Sequence, residues 1–489
     1  LLFIRDPVDG ENLRDFVLLR ASCRPSRHPE PSMPRYFAAN ALLATGWSEQ
    51  VLFDVDDAGL ITAIAPRAAA GDAEVLNGPV VPGMPSLHSH AFQRGMAGLT
   101  EKGGPQGDSF WSWRKLMYRF LENLRPDDVE VIATQVYIEM LRADYTSVAE
   151  FHYLHHDAGG APYANRAEVG ERLLAAADAA GIAQTLMPVL YAHDNFGGTP
   201  PSNGQKRFIN DAVGYAQIVE SLRKSVEGRP ARRIGIAPHS LRAVTPSQLN
   251  AAVILADSLE PGLPIHLNLA AQLKEVNDCL AWSGQRPVTW LLDHVKLDAR
   301  WCVIHATQME VGEAERLART GAVAGLCPTT EGDLGDGFFN AVPFLRNGGR
   351  IGIGSDSHVG VDPFLELRLF EYGQRLRFER RNVLAKGIGD SLGGHLYRIT
   401  AAGGAQAIGQ PVGSLAVGNR ADWLVLNADD AALAEQRQDG LLDAAIFGPA
   451  RQPVRDVMVA GRWVVRDGLH ADGAASFARY RSVMKRLLA

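Results

Sequence analysis

Two histidines one residue apart, His88-Ser89-His90, follow the apolar run VVPGMPSL. On an extended strand, residues i and i+2 point to the same side, so both imidazoles can reach one divalent ion. A second polar set, Ser355-Asp356-Ser357-His358, closes the run RIGIG, where Gly352 and Gly354 leave little bulk around Asp356. A carboxyl there can bind the ion and take a proton from water that the ion acidifies, or it can simply cap a helix. His305, closing WCVIH, can hydrogen-bond an attacking water or a developing charge, or rest satisfied in a core. The paired strand ends favour the chemical reading. They predict His88, His90 and Asp356 as ligands of one divalent metal, zinc foremost, with Asp356 and His305 as catalytic groups.

Such residues converge only if elements bring them together. From Val80 onward, eight β-prone runs alternate with longer helical stretches: 80–90, 145–156, 183–193, 232–240, 263–270, 301–308, 323–331 and 350–358. Six of them place a His, Asp or Glu at or just past the C-terminal end. This pattern predicts an α/β fold, a (β/α)8 TIM-like barrel over residues 80–411 with its site at one mouth. Residues 34–79 and 412–470 read as short alternating strands with glycine turns and predict a small β-sandwich domain. Residues 471–489 read as a C-terminal helix. Residues 1–33 are rich in Arg, Pro and Ser without a period, which predicts a disordered or non-native extension before a natural start at Met33.

Composition narrows the partners. Acidic residues outnumber basic ones, 55 to 49, and no Lys/Arg block stands out, so neither nucleic acid nor a membrane surface is expected. No apolar run reaches the ~18–20 residues of a membrane span, and charges interrupt the opening LLFIRD. Cys23, Cys279, Cys302 and Cys327 are scattered without CxxC spacing, which argues against disulfides and thiolate metal sites and for the cytoplasm.

PGMPSLHSHAFQR, GIGSDSH and GSLAVGNRADWLVL resemble the amidohydrolase superfamily. Within it, HSHAFQRGMAGL, DSFWSWRKLMYRF, VAEFHYLHHD, HSLRAVT and LGDGFFNA resemble the formimidoylglutamate deiminase family, from about Arg35 to the C-terminus. The resemblance implies hydrolysis of N-formimidoyl-L-glutamate to N-formyl-L-glutamate and ammonia by metal-activated water, a step of histidine breakdown, and it implies a homodimer. The substrate is a small dianion. By resemblance Gln93, Arg114, Tyr153 and Arg242 hold its carboxylates, and His239 lies at the formimidoyl end as a binding and catalytic residue. Read alone, Arg114 is a solvated helix residue, Tyr153 a half-buried strand aromatic, Gln93 a loop residue and Arg242 a loop ion pair.

The fifth run departs from the family. Where relatives carry His-x-x-Glu, completing the metal set and moving protons, this chain has Asn268-Leu269-Ala270-Ala271. An amide oxygen is a weaker zinc donor than imidazole, and Ala271 can move no proton. His266 faces the same way but roughly 6.5 Å deeper along the strand, and Glu275 lies on the following segment. Gly332-Asp333 replaces the usual Ala-Asn and adds a carboxyl beside a site for an anion. Three readings stay open: an active deiminase, an impaired or silent relative that still binds substrate, and a hydrolase for another amidine. Metal occupancy stays open with them.

Overall fold

The eight runs become parallel strands. The computed structural model describes residues 33–103 and 109–489, so the readings of residues 1–32 and Asp108 lie outside the described residues. The strands are Met84–Ser89, Tyr145–His152, Ala183–Leu190, Arg232–Ile234 with Ala237–Pro238, Ile265–Leu269, Trp301–His305, Val323–Leu326 and Arg350–Ile353. The first four pair into one parallel arc and the last four into another. Single parallel bridges join the arcs at both seams: Ile236 to Ile265 and Ser240 to Asn268 on one side, Ser89 to Asp356 on the other. The result is a curled parallel sheet. The second and third strands are buried along their whole length, as parallel strands covered by helices must be.

Helices between the strands start where the sequence supplies caps. Asp211 accepts from the Gly214 amide ahead of Ala212–Val226, and Thr245 accepts from Gln248 ahead of Pro246–Leu259. One continuous apolar core runs through the strands and the helices around them. None of the described helices is long and apolar enough to cross a membrane.

The terminal segments form a single nine-stranded sheet. It holds Val80–Pro82, which the sequence joined to the first parallel run. That run divides at Gly83: Val80–Pro82 pairs antiparallel with Trp423–Leu426, and Met84–Ser89 pairs with the second parallel strand. The segment 412–470 also contains a helix, Asp439–Phe447, where only strands were expected. Its apolar residues Leu441, Leu442, Ala445 and Ile446 recur at helical spacing and are buried. The sheet has its own small core, in which Tyr36 meets Trp423 edge-on at 5.2 Å. Arg420 and Asp422 of GNRADW form a buried ion pair at 2.6 Å, and Asp422 also accepts from the Ala460 amide. A helix, Gly473–Leu487, ends the chain and packs on Pro126–Arg142.

Candidate active site

The seam between the first and eighth strands builds the predicted metal site. An added Cβ at Gly354 would stand 2.8 Å from the His88 main chain, so glycine is what lets these strands approach. The Asp356 amide then donates to His88 O, and the His90 amide donates to Asp356 O, each at 3.0 Å. These bonds hold Asp356 in the left-handed region at φ +45°, a conformation tolerated where the surroundings enforce it. His305, at the end of the sixth strand, has φ +67°. It lines the same mouth.

Asp356 is the hub. Its Oδ1 lies 3.8 Å from His88 Nε2 and 3.4 Å from His90 Nε2, and its Oδ2 lies 3.7 Å from His305 Nε2. These gaps exceed normal hydrogen bonds. A tetrahedral zinc with donors about 2.0–2.2 Å away holds those donors roughly 3.4 Å apart. Both ring nitrogens of buried His88 lack a hydrogen-bond partner, a costly state unless something binds them. Burial and the neighbouring imidazoles hold His88 well below the usual histidine range, and burial also lowers His90, so both rings are neutral. His90 Nδ1 bonds Phe151 O at 2.9 Å, which leaves Nε2 for an ion. The donor set therefore fits a divalent cation. Among the described residues two trios of candidate donors lie within 4.8 Å of one another: His88, His305 and Asp356, and His305, Cys327 and Glu331.

His305 differs from the other two rings. Burial opposes its charge, but the bond from Nδ1 to Glu331 at 3.3 Å and the Asp356 carboxyl outweigh it and raise the ring to about 9. With Nδ1 held by Glu331, His305 Nε2 faces Asp356 and can donate a hydrogen bond into the space over it.

A cleft of about 850 Å³ opens above this cluster. His90, Gln93, Arg114, Tyr153, His239, Arg242, His305 and Asp356 all line it, as do Asn268 and Ala271; His88 lies beneath. Gln93 donates to the Tyr153 hydroxyl at 2.9 Å. Arg114 lies over the Trp111 ring and meets Asp194 at 3.3 Å, and Arg242 stands 3.8 Å from Glu275. Arg114 Nη1 and Arg242 Nε are buried without hydrogen-bond partners, so each guanidinium keeps capacity for an anion. Burial and Arg242 hold His239 well below its usual range, as a neutral ring.

The fifth strand presents Asn268 and the residues after it to the cleft. Asn268 Oδ1 is buried without a partner. His266 Nε2 bonds Ala407 O at 2.8 Å, while its Nδ1 is buried without a partner. Glu275 accepts from the Ala271 amide at 3.2 Å and lines the cleft, which brings a carboxyl closer to the vacated position than its place in the sequence suggests.

Two functional carboxyls escaped the sequence reading. Glu150, in VAEFHY, accepts from Ser89 Oγ at 2.5 Å, the Ala91 amide at 2.8 Å and Tyr137 at 3.1 Å. Burial raises it to about 7. It fixes Ser89, the residue between the two metal histidines, and its signal was its place on the second strand of a run whose other polar residues lie at the end. Asp336, in LGDGFFNA, lines the cleft, and burial raises it to about 7. It lies in a loop between helices, outside any strand end where a catalytic residue was sought.

Residues 80–464 match the model of the amidohydrolase family. The chain is similar to a formimidoylglutamate deiminase of Pseudomonas aeruginosa, 53% identical over 93% of this chain and 100% of that protein. It is 27% identical to an 8-oxoguanine deaminase of the same species, over 84% of this chain and 88% of the other. Among solved structures, an amidohydrolase from Brucella melitensis superposes with a TM-score of 0.89 at 46% identity, covering 93% of this chain and 100% of that one. An adenosine deaminase from Xanthomonas campestris with bound zinc shares the fold at a TM-score of 0.77 and 22% identity, over 94% and 99% of the two chains.

Proposed function

We propose that this chain, which belongs to the amidohydrolase family and within it to the formimidoylglutamate deiminases, hydrolyses N-formimidoyl-L-glutamate to N-formyl-L-glutamate and ammonia. The observation that carries the reading is the 53% identity to a deiminase of that name along its whole length. The cleft supports it: cationic guanidiniums and a donor cluster line one space. We read the two bridged arcs as a closed (β/α)8 barrel over residues 80–411 and the terminal sheet, residues 34–79 with 412–470, as its companion β domain. A cytoplasmic place suits the buried free thiols Cys279, Cys302 and Cys327.

Arg114, Arg242, Gln93 and Tyr153 bind the two carboxylates of the dianion, and His239 packs against the formimidoyl group. His88, His90 and Asp356 hold one divalent ion, zinc first among candidates. Bound there, it supplies a Lewis acid and brings the acidity of water toward neutrality. Asp356 accepts a proton from the water whose oxygen adds to the formimidoyl carbon. His305 donates to the charge that develops as the bond to the terminal nitrogen breaks and ammonia departs.

The departing nitrogen needs a proton, and Ala271 has no side chain to deliver it; Asp356, which took one from the water, is left to return it to that nitrogen. The fifth strand therefore sets the rate and the metal affinity while leaving the reaction class to the rest of the cleft. A missing general acid/base costs about 10²–10⁴ in rate.

The test is product analysis with zinc-supplemented protein. N-formimidoyl-L-glutamate is expected to give N-formyl-L-glutamate and ammonia in equal amounts, and Arg242→Ala is expected to raise KM about 10- to 100-fold. Hydrolysis of a carboxylate-free formamidine at an equal kcat/KM would contradict the substrate assignment.

A further inference from the structure

The product differs from the substrate at one place: an uncharged carbonyl oxygen replaces a basic nitrogen that is protonated at neutral pH. The guanidiniums of the cleft bind both compounds equally through their carboxylates, and two of its carboxyls are engaged, Asp356 with the histidines around it and Glu275 with Arg242 and the Ala271 amide. Uniform binding of this kind retains product.

Asp336 is placed to break that equality. It is 2% exposed, lines the cleft, and makes no ion pair with Lys, Arg or His within 4.0 Å among the described residues. One oxygen, Oδ1, accepts from Gln272 Nε2, and Oδ2 has no hydrogen-bond partner among the described residues. The loop is fixed around it. Its amide donates to Glu331 O at 2.8 Å, its carbonyl accepts from Gln308 Nε2, and Gly335 and Gly337 on either side adopt φ +66° and +106°. The charged groups that act on it are His305, Glu331 and Asp356, the reacting end of the cleft. Glu331 is already committed to His305 and to the Cys327 amide. Burial raises this carboxyl to about 7, and a cation that arrives with the ligand would favour its charged form.

We infer that Asp336 is a specificity-determining residue that pairs with the protonated formamidinium nitrogen of the substrate, and so favours the cationic amidine head over the neutral formyl head of the product. Gln272 aims the carboxyl. Once hydrolysis removes the charged nitrogen, Asp336 faces a carbonyl oxygen and repels it, which speeds release. The inference rests on the deiminase reading and adds what the cleft discriminates.

The experiment compares KM for N-formimidoyl-L-glutamate with the inhibition constant of N-formyl-L-glutamate. In Asp336→Asn, which keeps the shape and the Gln272 contact, KM is expected to rise about 10-fold or more while the product's inhibition constant stays level or falls. Asp336→Glu, which keeps the charge, should retain part of the selectivity. A ratio of the two constants unchanged in Asp336→Asn overturns the inference, and so does an equal loss of affinity for both compounds, which marks a structural role. Absence of turnover by both the unaltered protein and Asn268→His/Ala271→Glu overturns the deiminase reading, and this inference with it.

Discussion

His305 shows how neighbours decide a residue's chemistry. Three imidazoles surround Asp356, yet two are neutral and one is raised to about 9. Burial disfavours the cation in all three; only His305 has Glu331 at its second nitrogen. As the donor of the proposed reaction, His305 is the residue whose change to Gln is expected to lower kcat by about 10²–10³ with a much smaller change in KM, as loss of a transition-state donor does. Steady-state kinetics on N-formimidoyl-L-glutamate check this. A large rise in KM alone would make His305 a binding residue.

At the scale of elements, the site depends on how closely the first and eighth strands approach. Gly354→Ala puts a methyl against the His88 main chain and should part the seam, lowering zinc content and costing about 1–3 kcal/mol of stability. Metal analysis and thermal unfolding of the variant test both effects together. This seam was legible in the sequence: HSH and GSDSH end strands, and strand ends meet at one mouth. The same logic placed His305, and the family resemblance placed Arg114, Tyr153 and Arg242 in the cleft. Asp336 and Glu150 were not legible. Asp336 sits on a loop whose position depends on Gln272 and Gln308 from other segments, and Glu150 gains its role from Ser89, 61 residues away. Periodicity also joined Val80–Pro82 to the wrong sheet, because a continuous apolar run does not reveal a change of partner at Gly83. His266 and Asn268 share a face of their strand, but a bond to Ala407 O, from a helix far along the chain, occupies His266 Nε2.

The whole molecule couples two sheets through one chain, since the segment entering the first parallel strand is itself a strand of the terminal sheet. The buried Arg420 to Asp422 pair beside that junction also ties in Gln410 and Ala460. Arg420→Ala leaves an uncompensated buried carboxylate and is expected to destabilise by about 3–5 kcal/mol while leaving KM unchanged in the folded fraction. Denaturant unfolding alongside kinetics would register the separation. The rate of the proposed reaction turns on the fifth strand. The most direct measurement is the rate of ammonia release from N-formimidoyl-L-glutamate, compared between the unaltered protein and Asn268→His/Ala271→Glu at matched zinc. The account predicts release by both, faster in the double variant by about 10²-fold or more. Release by neither, in protein that is folded and zinc-loaded, would contradict it.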